Sequence, residues 1–160
     1  MRTYLVAAAV FVFLSPVLFA QYAEVLSQIG HSESITAEQA LWLVGSSSGS
    51  IQPGVGLEEA GARLSALDLP TSFLTDDASP DRGVTTADFS LLLMQVEEIP
   101  GGFWYGVAPS PFTAYRHLQR VGVIPEEDPP SLRLSGAAAI DLTRRYIDLA
   151  SRFVSGASGR

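Results

Sequence analysis

Few residues in this chain have the type and spacing that catalysis or metal binding requires. His31 and His117 are the only histidines, and neither has a second ligand at the spacing of a metal site. Glu97 and Glu98 are adjacent, and adjacent side chains on a helix point apart, so they do not form a two-carboxylate site. Cysteine is absent, which excludes disulfides and thiolate ligands. We therefore expect no catalytic residue, no metal and no cofactor, with a small hydrolase as an alternative.

Two segments resemble ligand loops in composition but lack the defining residues. Residues 45–50, GSSSGS, are not followed by Lys and have no Walker spacing, so we interpret them as a flexible loop. Residues 76–81, DDASPD, lack the central Gly and the closing Glu of an EF-hand. We interpret them as a solvated acidic loop.

Binding chemistry is concentrated in one aromatic segment. Phe103, Trp104 and Tyr105 are consecutive and lie between glycines, and flat rings offer a large contact area to a peptide or a sugar. We expect this loop to form a docking surface. In the alternative interpretation, the rings alternate in direction and close one end of the core.

Two arginines follow on the next predicted helix, which begins at Ser110-Pro111 and ends at Gly122. Arg116 and Arg120 are four residues apart and share one exposed face, where two guanidinium groups can hold a carboxylate or a phosphate. The alternative is that they are solvated or pair with the acidic side chains of residues 126–128.

The overall charge limits the classes of partner. The chain has 160 residues, enough for one domain with its own core, and its formal net charge is −7. An acidic balance argues against nucleic acid and against anionic membrane surfaces.

The first twenty residues predict export. Arg2 precedes an apolar run over residues 4–19, and Ala20 stands before polar Gln21, as in a secretory signal peptide cut after residue 20. The alternative is a membrane anchor, although the run is shorter than the about 20 apolar residues of a span and contains Pro16. We expect a periplasmic or cell-envelope location, with membrane attachment only if this segment is retained.

Three helices with Ser or Thr caps dominate the remaining sequence. Thr36 with Gln39 forms a capping box, Thr85 pairs with Asp88, and Ser135 begins the last helix. The apolar residues of the second helix fall on one face, and so do those of the third. These residues are Phe89, Leu92, Leu93 and Val96, and then Ala139, Leu142, Tyr146, Leu149 and Phe153.

The capped helices recur at a regular interval. The three caps are 49 and 50 residues apart, and each capped helix follows a shorter one. The apolar pairs of the shorter helices are Leu26/Ile29, Leu64/Leu67 and Leu118/Val121. We therefore predict an all-α fold of three pseudo-repeated helix–loop–helix units, which must pack on one another as one small domain.

The motifs at the caps resemble those of the S-layer homology (SLH) family, whose second helix opens with an I-T-R-A-E-F pattern. The match is best at 84–89, VTTADF; it lacks one residue at 35–38, ITAE, and is poor at 134–139, LSGAAA. The resemblance implies a helical scaffold and binding of an anionic cell-wall polymer. Thr86 and Gly136 occupy the position of the motif Arg in two units, and the Asp-Gly turn of the family is missing.

Taken together, these patterns predict a signal peptide at 1–20, an SLH-like helical domain at 21–154 and a flexible tail at 155–160. We predict a non-enzymatic envelope protein that docks to another envelope protein or assembly. Binding to cell-wall glycan is the first alternative.

Overall fold

The computed structural model describes residues 20–52, 55–57, 59–60, 83–96 and 103–157, and it is all-α over these ranges, as predicted. The helices are α1 (described over 20–30), α2 (Ala37–Ser47), α3 (Thr86–Val96), α4 (Phe103–Val107), α5 (Pro111–Arg120) and α6 (Gly136–Ala157). Leu57, Glu59 and Ala60 are also helical. The described part contains no strand, and its only β-type pairing is an isolated bridge between Thr85 and Arg133.

The three predicted caps are confirmed. Each forms through hydrogen bonds between residues close in sequence. Thr36 and Gln39 form the reciprocal capping box at the start of α2. The hydroxyl of Thr85 accepts from the backbone amide of Asp88 at 3.2 Å and donates to its carboxylate at 2.6 Å. The hydroxyl of Ser135 accepts from an amide in the first turn of α6 at 3.2 Å. A cap of this kind stabilises a helix by about 0.5–2 kcal/mol.

Helix α3 lies at the centre of the fold. It packs against α2, α5 and α6, while α2 packs against α6 and α4 against α5. The predicted width of its apolar surface is confirmed, since a run of its side chains is buried. These residues are Phe89, Leu91, Leu92, Leu93 and Met94.

The entrances of α2, α3 and α6 meet in a closed ring of backbone hydrogen bonds. The amide of Ile35 donates to the carbonyl of Leu134 at 2.9 Å, Leu134 donates to Val84 at 3.0 Å, and Val84 donates to Ile35 at 3.0 Å. Each of the three residues immediately precedes a cap, and each side chain is buried. The ring therefore fixes the relative positions of the three capped helices.

Three predicted boundaries differ from the structure. Helix α2 continues through Ser47, so the first half of the predicted 45–50 loop is helical, and the turn comes at Gly49, with φ +75°. The hydroxyls of Ser47 and Ser48 donate back to the carbonyls of Val44 and Gly45, which keeps the serines on the helix end. Helix α6 likewise continues past 154 to Ala157, into the predicted tail.

The third difference concerns the aromatic segment, which we predicted as a loop. It forms the short helix α4, which packs on α5. The predicted end of α5 is confirmed, because Gly122 adopts φ +78° directly after the C-cap Val121.

Several predictions concern residues outside the described part. These are the apolar pair Leu64/Leu67, the acidic loop at 76–81, the Glu97-Glu98 pair and the side chain of Phe153. Within the described residues, no helix combines the length and apolar character that a membrane crossing requires.

Candidate docking surface

Helix α4 presents two hydrophobic side chains to solvent. Phe103 is 77% exposed and Val107 is 63% exposed, and their spacing of four places them on one side of the helix. Tyr105 is half-buried and packs against the core, and this burial raises the pKa of its phenol. Trp104 lies in the same helix, with its side chain outside the described part. The aromatic segment thus combines the two alternatives, since one ring is anchored in the core and another is largely exposed.

Helix α5 is held firmly, so its outer face is well positioned. Ser110 and Thr113 form a capping box with Pro111 at the first helical position. The inner face buries Ala114, Tyr115 and Leu118. A cap and a buried stripe together fix both the start and the rotation of this helix.

The outer face of α5 carries one exposed stripe. Phe112, Arg116 and Arg120 follow one another at intervals of four, and Phe112 is 58% exposed. The ring of Phe112 lies 6.4 Å from that of Tyr115, measured between centroids. One side of the exposed Phe112 ring therefore lies near the buried Tyr115. We call Phe103, Val107, Phe112, Arg116 and Arg120 the α4–α5 surface.

The two arginines have no ion-pair partner within the described part of the protein. Arg116 donates a hydrogen bond to the side-chain oxygen of Gln119 at 3.3 Å. The acidic segment at 126–128 is held through its backbone, because the hydroxyl of Tyr115 donates to the carbonyl of Asp128 at 2.7 Å and Gln119 donates to the carbonyl of Glu126 at 3.1 Å. The described contacts therefore contain no ion pair between Arg116 or Arg120 and the acidic side chains of residues 126–128.

His117 lies between the two arginines in sequence and is partly buried. Burial, followed by the charge of Arg120, lowers the pKa of this imidazole below its ordinary value. His31 lies elsewhere, where its Nδ1 donates to the carbonyl of Ser27 at 2.7 Å. Over the described residues, no group of three or more His, Cys, Asp or Glu side chains is placed to hold a metal ion.

A second surface feature was missed by sequence reasoning. A groove of about 280 Å³ runs between α1 and the segment after α2. The ring of Tyr22 lies 5.1 Å from that of Trp42, and the indole N–H of Trp42 donates to the carbonyl of Val55 at 2.8 Å. Polar side chains of α1 form the rim, namely Gln21, Glu24 and Gln28. The sequence did contain an indication of this groove, because the three rim residues are spaced three and four apart and so lie on one face of α1.

Comparison with protein-family models, with curated proteins and with solved structures finds no match to this protein. The candidate site is therefore defined by its own side chains, which are exposed apolar and cationic groups on two packed helices.

Proposed function

We propose that this is an exported, non-enzymatic envelope protein that docks onto a partner protein through the α4–α5 surface. The observation that carries the proposal is the exposure of Phe103, Val107 and Phe112, together with that of Arg116 and Arg120, on two helices that pack on each other. Exposed aromatic and Arg side chains are the types that contribute most to protein interfaces.

The charges define the chemistry of the partner. The protein is acidic overall, with a formal net charge of −7, yet the charged groups of this face are cationic. Guanidinium groups form strong paired hydrogen bonds with carboxylates. The complementary partner is therefore a protein segment whose apolar side chains are flanked by Asp or Glu.

The N-terminal pattern supports the location of this docking event. A basic residue, an apolar run and a small residue before Gln21 form the pattern of a cleaved leader. The partner is then a periplasmic or cell-envelope protein rather than a cytoplasmic one.

The decisive experiment is a crosslinking pull-down from the envelope fraction of cells that make the tagged protein with its own N-terminus. The test variant is Phe103→Ser with Phe112→Ser, and a second variant is Arg116→Gln with Arg120→Gln. The matched control is Ile147→Ser, because Ile147 is also an exposed large hydrophobic side chain but lies on α6.

The expected result is that the control recovers the same crosslinked protein as the native protein does and that both test variants lose it. If the folded aromatic variant recovers every crosslinked protein, docking through this surface is wrong.

Binding to a cell-wall glycan on an SLH-like scaffold is the second candidate, and two features shared by the three capped helices support it. The residue four positions after each cap is fully buried in all three capped helices. These residues are Ala40, Phe89 and Ala139. Together with the closed backbone ring at Ile35, Val84 and Leu134, this shared burial supports a relationship among the three capped helices.

The glycan candidate is tested by co-sedimentation of the purified protein with purified cell wall at low salt. Binding that survives in the Phe103→Ser, Phe112→Ser variant would favour the glycan candidate over docking to a protein. Failure of the native protein to co-sediment would exclude it.

A further inference from the structure

We propose that Gln21, once it becomes the first residue of the exported protein, closes on itself to form a pyroglutamyl N-terminus. The inference rests on the export in the proposed function, in which the leader is removed after Ala20. It is independent of which partner the α4–α5 surface binds.

The structure leaves the side-chain amide of Gln21 accessible. Gln21 is helical, and cleavage after Ala20 would make it the first residue of this helix, where backbone N–H groups have no acceptor within the helix. Its side chain is exposed at the rim of the groove beside Tyr22, and it makes no hydrogen bond among the described residues. After cleavage, no hydrogen bond among the described residues holds the side-chain amide away from the new α-amine.

The reaction needs no co-reactant. The α-amine nitrogen of Gln21 attacks the carbonyl carbon of the side-chain amide, and a new C–N bond forms that closes a five-membered lactam. The original C–N bond of that amide breaks, and its nitrogen leaves as ammonia with the proton that the amine gives up. The other glutamine at the rim, Gln28, has no free α-amine and stays unchanged.

The pyroglutamyl product is electrostatically more favourable than a free amine at the start of the helix. A free N-terminus is an ammonium group, and a positive charge is unfavourable at the positive end of a helix macrodipole. The lactam is neutral, so cyclisation removes that repulsion, as terminal capping does in general.

Cyclisation also protects a helix on which the core depends. The buried side chain of Ile29 belongs to α1, and Gly30 at the end of this helix approaches Ile140 of α6. Aminopeptidases require a free α-amine, so a lactam at residue 21 prevents stepwise trimming toward these contacts.

The test is mass spectrometry of the N-terminal peptide of the full-length protein after export with its own leader, and the control is Gln21→Asn. The Asn side chain is one methylene shorter, and the same attack would close a strained four-membered ring. The expected native peptide begins at residue 21 and is lighter than its encoded sequence by one ammonia. It resists an aminopeptidase until pyroglutamyl peptidase removes the ring, whereas the Asn peptide is trimmed directly.

The other outcomes overturn the inference in distinguishable ways. A peptide that begins at residue 21 with an open α-amine overturns the cyclisation and leaves export in place. An exported protein that begins at another residue overturns the assignment to Gln21 alone. A protein that retains Met1 overturns the export proposal together with this inference.

Discussion

The backbone amide of Ile35 lies 2.9 Å from the carbonyl oxygen of Leu134, and this hydrogen bond joins the entrance of α2 to that of α6. Val84 completes a closed cycle with both residues. The three side chains are buried, so the backbone groups of this ring have no ready access to water. A buried polar group that loses its partner costs more than a typical hydrogen bond contributes.

This relationship predicts a large effect for Leu134→Pro. Proline has no N–H and cannot donate to the carbonyl of Val84, whereas Leu134→Ala keeps the donor and loses only the side chain. We expect the Pro variant to lose about 1–3 kcal/mol of unfolding free energy beyond the Ala variant. Urea unfolding followed by circular dichroism measures the difference. Equal midpoints for the two variants would mean that the ring does not contribute to stability.

The start of α6 predicts a second effect, at Gly136. A Cβ added at this position would overlap the backbone carbonyl of Ile29, which cannot move aside without shifting the end of α1. We expect Gly136→Ala to lower the unfolding free energy by about 1–3 kcal/mol.

The matched control for Gly136→Ala is Gly106→Ala. Gly106 lies within α4, and a Cβ there would meet nothing within 4 Å. Since Ala loses less backbone entropy than Gly in a helix, we expect this variant to be neutral or stabilised by about 0.5–1 kcal/mol. Thermal unfolding of both variants checks the pair. A neutral Gly136→Ala would contradict the close approach of α6 to α1.

The local features of this fold could be predicted because their chemistry is local. The caps at Thr36, Thr85 and Ser110 are each satisfied within three residues of sequence, so the residue types alone identify them. The buried face of α3 follows from the spacing of its apolar side chains.

Other features could not be predicted, because the types of the side chains involved do not indicate them. The ring of Ile35, Val84 and Leu134 is made by backbone groups, which every residue other than proline possesses. The serines at the end of α2 resemble a loop in composition, and only their back-bonding to Val44 and Gly45 shows that they extend the helix.

The candidate site was predicted in part. Phe103, Arg116 and Arg120 are exposed as expected, whereas Tyr105 is anchored in the core. Phe112 was missed, although it precedes Arg116 by four residues and therefore continues the same stripe. Extending the arginine spacing one step toward the N-terminus of α5 would have found it.

The environment of His117 predicts a pH dependence of stability. Burial and then Arg120 lower its pKa below the ordinary value of 6.5, so the folded state binds this proton less readily than the unfolded state does. The resulting stabilisation is fully present above pH 6.5. It is lost as the pH falls from 6.5 through the folded pKa, because the unfolded state is protonated first.

His117→Gln isolates this contribution. We expect the unfolding free energy of the native protein to fall more steeply than that of the variant as the pH drops below 6.5, and the two slopes to agree above it. Urea titrations of both proteins at a series of pH values measure the slopes. Parallel curves throughout would show that the imidazole has the same proton affinity in both states.

The burial of Thr86 predicts a high cost for an Arg side chain at this position. Thr86 is fully buried, and its hydroxyl donates to the carbonyl of Leu132 at 3.1 Å. An Arg at this position would place an unpaired charge in the core, so we expect Thr86→Arg to lose about 3 kcal/mol or more of unfolding free energy. Ala37 occupies the equivalent position after the cap of α2 and is only half-buried, so Ala37→Arg should lose less than about 1 kcal/mol. Chemical unfolding of the two variants compares the positions directly. If Thr86→Arg were as stable as Ala37→Arg, the entrance of α3 would have room for the motif side chain, and the glycan candidate would gain a site there.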